Sequence, residues 1–167
     1  MERTYEEGWV EIFGNRDATQ ERLSQEAEKD RKEDRSVSAF KTEAQRVEPP
    51  IIDAAEIDWK STHALSIRQP WAELVILGEQ DEENRNRSTK LRERIAIYAT
   101  LSKEDLDEAV DYDLDPETLP RGFIIGTVEL YACDEGVWKL REPKRLAEPI
   151  KPEAHPQPVW FYPFGRD

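Results

Sequence analysis

Phe123-Ile124-Ile125-Gly126-Thr127-Val128-Glu129-Leu130 is the stretch on which the fold turns. Its aromatic and β-branched residues make it the strongest strand signal in the chain, and Pro120-Arg121-Gly122 just before it reads as a turn. Gly126 in mid-strand marks a bend or bulge of the kind that closing a barrel requires. Upstream, Arg94-Ile95-Ala96-Ile97-Tyr98-Ala99 has the alternation of a core strand, and Ala64-Leu65-Ser66-Ile67-Arg68 that of another. Pro70 then opens a helical stretch that runs through Leu77 and stops at Gly78, the punctuation that helix ends favour. Ser102-Lys103-Glu104-Asp105 starts a second helix in the manner of a capping box, with Leu106, Ala109 and Val110 as its inner face. Short strands at residues 137–140 and 159–162 flank a proline-rich loop. Without βαβ alternation there is no Rossmann-type sheet; the expected class is α+β, a small mixed β-barrel of about five to six strands with two or more short helices.

A chain of 167 residues is long enough for one core and short for two. Charged and apolar residues each make up 37% of it, too polar for a membrane protein and poor in core formers for a domain of that length. The deficit lies early. Residues 17–48 are charged and small polar, with Leu23, Val37 and Phe40 as sparse apolar members, so residues 1–61 are expected to be a charged extension, poorly ordered or marginally helical, ahead of a folded domain at 62–167. Trp9-Val10-Glu11-Ile12-Phe13 in that extension reads as a short strand, a peptide docking to a protein partner, or a sticky patch on a disordered tail. No apolar run approaches the ~18 residues that span a bilayer, and Met1-Glu2-Arg3 leads into acidic sequence, so a soluble, cytoplasmic protein without a membrane partner is expected.

Cys133 is the only cysteine, which excludes an internal disulfide and a thiolate metal cage. His63 and His155 belong to no spaced ligand motif, and the acidic residues 104–117 fit no calcium loop; neither a metal nor a cofactor is expected. The formal net charge of −13 argues against non-specific nucleic-acid binding, because holding phosphates needs positive potential. Any such site must be local.

Leu65-Ser66-Ile67-Arg68-Gln69-Pro70-Trp71-Ala72 followed by Gly78, then Glu83-Asn84-Arg85 and the strand ending at Ala99, resembles the ASCH domain. The likeness continues through Leu119-Pro120-Arg121-Gly122, Ile125-Gly126-Thr127-Val128-Glu129-Leu130, Trp138, Glu142-Pro143-Lys144-Arg145-Leu146 and Trp160. It implies a PUA-like barrel with a cleft between the first helix and the strands, and a ligand that is RNA or a modified nucleotide. The family also holds an amidohydrolase of acetylated cytidine and proteins described as ribonucleases, so the fold alone does not choose an activity. In the amidohydrolases a lysine two positions after the glycine and a threonine five positions after it carry the chemistry; Gln80 and Glu83 stand there, and neither replaces its counterpart.

Arg85, Arg87, Lys90, Arg92 and Arg94 cluster in a segment whose one acid is Glu93. Guanidinium groups clamp phosphates and stack on bases, which suits single-stranded RNA. The competing reading pairs these arginines with Glu79, Asp81, Glu82 and Glu83. The expected binding residues are Arg68, Gln69, Trp71, Arg85, Arg87, Lys90, Arg92 and Tyr98, with Arg68 and Gln69 ranked above Trp71, whose helical spacing to Leu74 and Val75 suits a core position. Glu83 is the candidate catalytic group, as general base for water with Arg85 stabilising the oxyanion. Three functions follow: an RNA- or nucleotide-binding module, a hydrolase of N-acylated nucleosides or a ribonuclease, and a protein-interaction adaptor.

Overall fold

The computed structural model describes residues 43–165. Its core is a sheet of seven strands: β1 (Ile51–Ile52), β2 (Ala64–Ile67), β3 (Glu82–Asn84), β4 (Glu93–Ala99), β5 (Phe123–Asp134), β6 (Val137–Ile150) and β7 (Trp160–Phe161). They run in the order β1-β6-β5-β4-β2-β7, with β3 also on β6. The β1–β6 and β2–β4 pairs are parallel and the others antiparallel. Helix α1 (Trp71–Ile76) is the α-helix among the described residues, and 3₁₀ turns cover Glu43–Gln45, Ala54–Glu56 and Leu106–Tyr112. The class is α+β and rich in strand.

A closed barrel was the expectation, and the sheet is open: among the described residues no ladder joins its two edges, β1 and β7. Each of those strands is two residues long, too short to carry a closing ladder. The bend expected at Gly126 is present. The β5–β6 register shifts between Ile124 and Gly126 and twice more further along, and each extra residue bends and twists the ladder. Gly126 lies under Lys144, where an added Cβ would meet the Lys144 carbonyl oxygen at 2.3 Å.

Alternation along β2 and β4 explains why both faces of these strands are buried. Leu65, Ile67, Ile95 and Ile97 point into one cluster with Val75, Ile76, Ile125 and Trp138, so α1 covers that face. Ala64, Ala96 and Tyr98 point into a second cluster with Ile124, Leu146 and Phe161, covered by Ile52, Ala54, Ile57 and Trp59. Part of the segment ahead of Thr62 is therefore built into the domain. Arg145 donates its backbone N–H to the Pro50 carbonyl, and Arg46 reaches Glu79 at 2.6 Å with both side chains about 95% buried (6% and 5% exposed). The extension expected for residues 1–61 thus becomes structural by residue 46, while Trp9-Val10-Glu11-Ile12-Phe13 lies outside the described residues.

Helix α1 follows Pro70 and ends ahead of Gly78, whose φ of +73° is the left-handed stop that glycine supplies. The second expected helix is different. Ser102 Oγ accepts the Glu104 N–H, Asp105 turns left-handed (φ 63°), and a 3₁₀ helix covers Leu106–Tyr112. Its inner residues are Ala109 and Tyr112, three apart as a 3₁₀ repeat dictates, while Val110 is 66% exposed. Aspartates at 105, 107, 111 and 113 favour caps and turns over an α-helical interior. No described helix is long and apolar enough to cross a membrane.

Candidate functional site

A cavity of about 850 Å³ opens where the ends of several elements meet: the end of β2, the first residue of α1, β3 with Arg85, the end of β4, the start of β5 and the proline-rich loop at 151–158. The loop is pinned. Ser66 donates its hydroxyl to the Gln157 carbonyl at 2.6 Å and its N–H to the Val159 carbonyl. Pro152, Pro156 and Pro158 give the cavity a rigid apolar wall, to which Trp71, Tyr98, Leu101 and Phe123 add apolar surface.

The cavity brings together five of the nine expected site residues, Arg68, Trp71, Glu83, Arg85 and Tyr98. Arg68 forms ion pairs with Glu104 (2.6 Å) and Asp105 (3.1 Å). Arg85 donates to the Ser66 carbonyl at 2.7 Å, lies 3.0 Å from the Glu83 carboxylate and has its guanidinium 6.0 Å from the Trp138 ring centre. Trp71 is half-buried, packs edge-on against Tyr112 (5.4 Å) and faces the cavity. Tyr98 is 4% exposed, set edge-on against Phe161, and burial raises its phenol above the ordinary value. Glu83 also lines the cavity. Burial pushes its carboxyl above the ordinary range, and that effect outweighs the attraction of Arg85 and Arg68, which works the other way.

The remaining expected residues lie elsewhere. Gln69 is fully buried outside the cavity lining; its amide donates to the Pro120 carbonyl (2.9 Å) and accepts the Glu73 N–H (3.0 Å). The amide expected to read a base holds a turn instead, and Trp71 rather than Gln69 faces the cavity. Arg87, Lys90 and Arg92 are exposed and outside the cavity: the Arg87 carbonyl accepts the Trp138 indole N–H at 2.8 Å, and Arg92 donates to the carbonyls of Thr89 and Leu91. Arg94 binds Thr127 and Glu142 on another surface. The basic cluster in the sequence is thus split, with Arg85 turned inward.

Sequence reasoning missed Arg121, Lys151 and Thr100, all in the cavity wall. Arg121 donates to the Leu101 carbonyl at 2.9 Å. Thr100 carries a buried hydroxyl with no hydrogen-bond partner. Arg121 stood in the Pro-Arg-Gly turn, where a turn reading absorbed it, and Lys151 stood alone in a proline-rich loop with no local pattern around it. His155, expected to be an isolated surface histidine, is exposed and borders the cavity. His63 is not there; it pairs with Glu93 at 2.5 Å and packs on Trp160 and Tyr162. Among the described residues no three His, Cys, Asp or Glu side chains gather as a metal ligand set. In comparisons with known proteins, no family model matches the chain and no curated protein matches it significantly.

Proposed function

We propose that this chain carries a PUA-like domain of the ASCH type that binds a nucleotide unit, free and modified or within single-stranded RNA, in the cavity bordered by Arg68, Trp71, Glu83 and Arg85. The observation that carries the reading is a concentration of cations with flat apolar surfaces in one pocket of a chain whose net charge is −13. Arg68, Arg85, Arg121 and Lys151 line it with the carboxylate of Glu83, while Glu104 and Asp105 pair with Arg68 from outside the lining, so the cations still outnumber the acids. Such a site attracts a phosphate locally while the rest of the surface repels it. The indole of Trp71, the phenyl ring of Phe123 and the proline faces accept a base by stacking, which single-stranded RNA offers and a duplex does not. Fluorescence anisotropy with a labelled single-stranded oligoribonucleotide tests the reading: the wild-type chain binds, and Arg68→Gln with Arg85→Gln lowers affinity at least tenfold, whereas Arg87→Gln with Lys90→Gln changes it less. Equal loss in both pairs would move the site from the cavity to the 86–92 surface.

Glu83 favours a second reading. A carboxyl raised by burial and next to a guanidinium is suited to accept a proton from water while Arg85 steadies a developing oxyanion, which is the chemistry of a hydrolase of N-acylated nucleosides. Gln80 stays outside the cavity lining, with its amide on the Glu82 carbonyl. Turnover of acetylated cytidine that is lost in Glu83→Gln and kept in Gln80→Ala would establish the enzyme; no turnover leaves the binding module.

A further inference from the structure

Ion pairing sorts the arginines of the described residues. Arg46, Arg68, Arg85, Arg94, Arg141 and Arg145 each have a carboxylate partner within 4.0 Å. Arg87, Arg92 and Arg121 have none among the described residues, and of these three only Arg121 lines the cavity. Lys151 lines the same cavity, also without a described carboxylate partner. The two reach it together for a topological reason. Ile124 of β5 is paired with Ile150 of β6, so Lys151 follows the last residue of β6 at the end of the ladder where Phe123 begins β5, and Arg121 lies two residues before Phe123. The Arg121 guanidinium is steadied by one bond to the Leu101 carbonyl, which leaves most of its five N–H donors uncommitted. Glu83 and Asn84 enter from β3, which pairs with the other end of β6, at Trp138 and Val137.

From this partition we propose that the cavity holds two subsites: Arg121 and Lys151 receive the phosphate of a nucleotide, and the fixed Glu83–Arg85 pair meets the polar edge of its base. This rests on the nucleotide-binding reading and gives it a polarity. Arg68 and Arg85 are already neutralised by carboxylates, so a phosphate that went to them would have to displace Glu104, Asp105 or Glu83. At Arg121 and Lys151 it displaces only water, and a guanidinium beside an ammonium matches a tetrahedral oxyanion through charge-assisted hydrogen bonds. The Glu83–Arg85 pair presents an acceptor beside donors, a pattern that suits a base edge better than a phosphate. The phosphate can come from a 5′-mononucleotide or from a phosphodiester inside a strand.

Titrations of the full chain with three kinds of probe decide it: the four ribonucleosides, their 5′-monophosphates and a fluorescent mixed-sequence oligoribonucleotide, each with wild type, Arg121→Gln, Lys151→Gln and Glu83→Gln. The expected result is that Arg121→Gln and Lys151→Gln each weaken a phosphorylated probe about tenfold and leave nucleosides unchanged. The salt dependence of oligoribonucleotide binding should also fall by ~0.7 of log–log slope for the lost phosphate contact. Glu83→Gln should instead weaken nucleosides and nucleotides alike. A gain of monophosphate over nucleoside identifies a free nucleotide as the source; a gain seen with the oligoribonucleotide alone identifies a phosphodiester. Lys151 is exposed, so its variant keeps the test sound if Arg121→Gln disturbs folding. Wild-type affinity and salt slope retained in Lys151→Gln and in a folded Arg121→Gln would overturn the two-subsite proposal and leave nucleotide binding standing. Failure of the wild-type chain to bind any probe would overturn both.

Discussion

Glu83 is where burial and charge pull in opposite directions. Its side chain is 15% exposed beside Arg85, and loss of hydration raises its pKa despite that neighbour. The folded state therefore binds this proton more tightly than the unfolded chain does. Stability contributed by that difference is fully present below the ordinary glutamate value of ~4.3 and is lost as pH rises through the folded value. Glu129 works the other way: held down chiefly by its hydrogen bond to Arg141, it adds stability that is lost as pH falls. Only a difference between variants isolates Glu83. Denaturant unfolding of wild type and Glu83→Gln across the acid range should give a gap that shifts in favour of the variant as pH rises; a gap independent of pH would mean that the ion pair with Arg85 fully offsets burial. Residue chemistry of this sort was half legible. The resemblance grouped Arg68, Arg85 and Arg87 in one cleft, and Arg68 and Arg85 line one cavity while Arg87 does not. Gln69 and Trp71 exchange places because the direction of a side chain at a strand-to-helix turn is set by what the turn must satisfy, here the Pro120 carbonyl and the Glu73 N–H.

At the scale of elements, the β5–β6 ladder owes its shape to Gly126. A methyl group there would sit 2.3 Å from the Lys144 carbonyl oxygen and 2.7 Å from the Ile76 side chain. The side chain can turn away; the carbonyl belongs to the neighbouring strand and cannot. Gly126→Ala should destabilise the chain by about 1–3 kcal/mol, read as a lower urea midpoint at unchanged slope. A variant with the wild-type midpoint would show that the strands separate without cost. Long strands with β-branched alternation, β4 and the first half of β5, were legible because burial on both faces selects such residues. The two-residue strand β1 gives no period to read, whereas β7 falls inside the strand expected at 159–162. The 3₁₀ helix at Leu106–Tyr112 was read with the wrong repeat, since Leu106, Ala109 and Val110 fit an α-helical face as well as Leu106, Ala109 and Tyr112 fit a 3₁₀ one.

For the whole molecule, the decisive interaction is between the sheet and the segment that precedes β2. Ile52, Ala54, Ile57 and Trp59 cover the face formed by Tyr98, Ile124, Leu146 and Phe161, and Trp59 meets Phe164 edge-on at 5.2 Å. Arg46 adds a polar clasp: besides Glu79, it donates to the carbonyls of Tyr112 and Asp113, which end the 3₁₀ helix. Composition concealed this. Four apolar residues scattered among acids have no period, and an arginine in a charged run gives no sign that it will be buried. Removing one partner of a buried ion pair leaves the other charge stranded, at about 3–5 kcal/mol, so Arg46→Ala should consume a large part of the ~5–15 kcal/mol that holds a domain together. Deleting everything before Thr62 removes the clasp, strand β1 and the apolar cover in one step. A chain starting at Glu43 should unfold in a single cooperative transition, whereas one starting at Thr62 should unfold at much lower urea and bind a hydrophobic dye through the uncovered face. If the Thr62 chain matched the longer one in urea midpoint, the sheet would be stable without its second face covered, and residues 43–61 would be an attachment to the domain instead of a part of it.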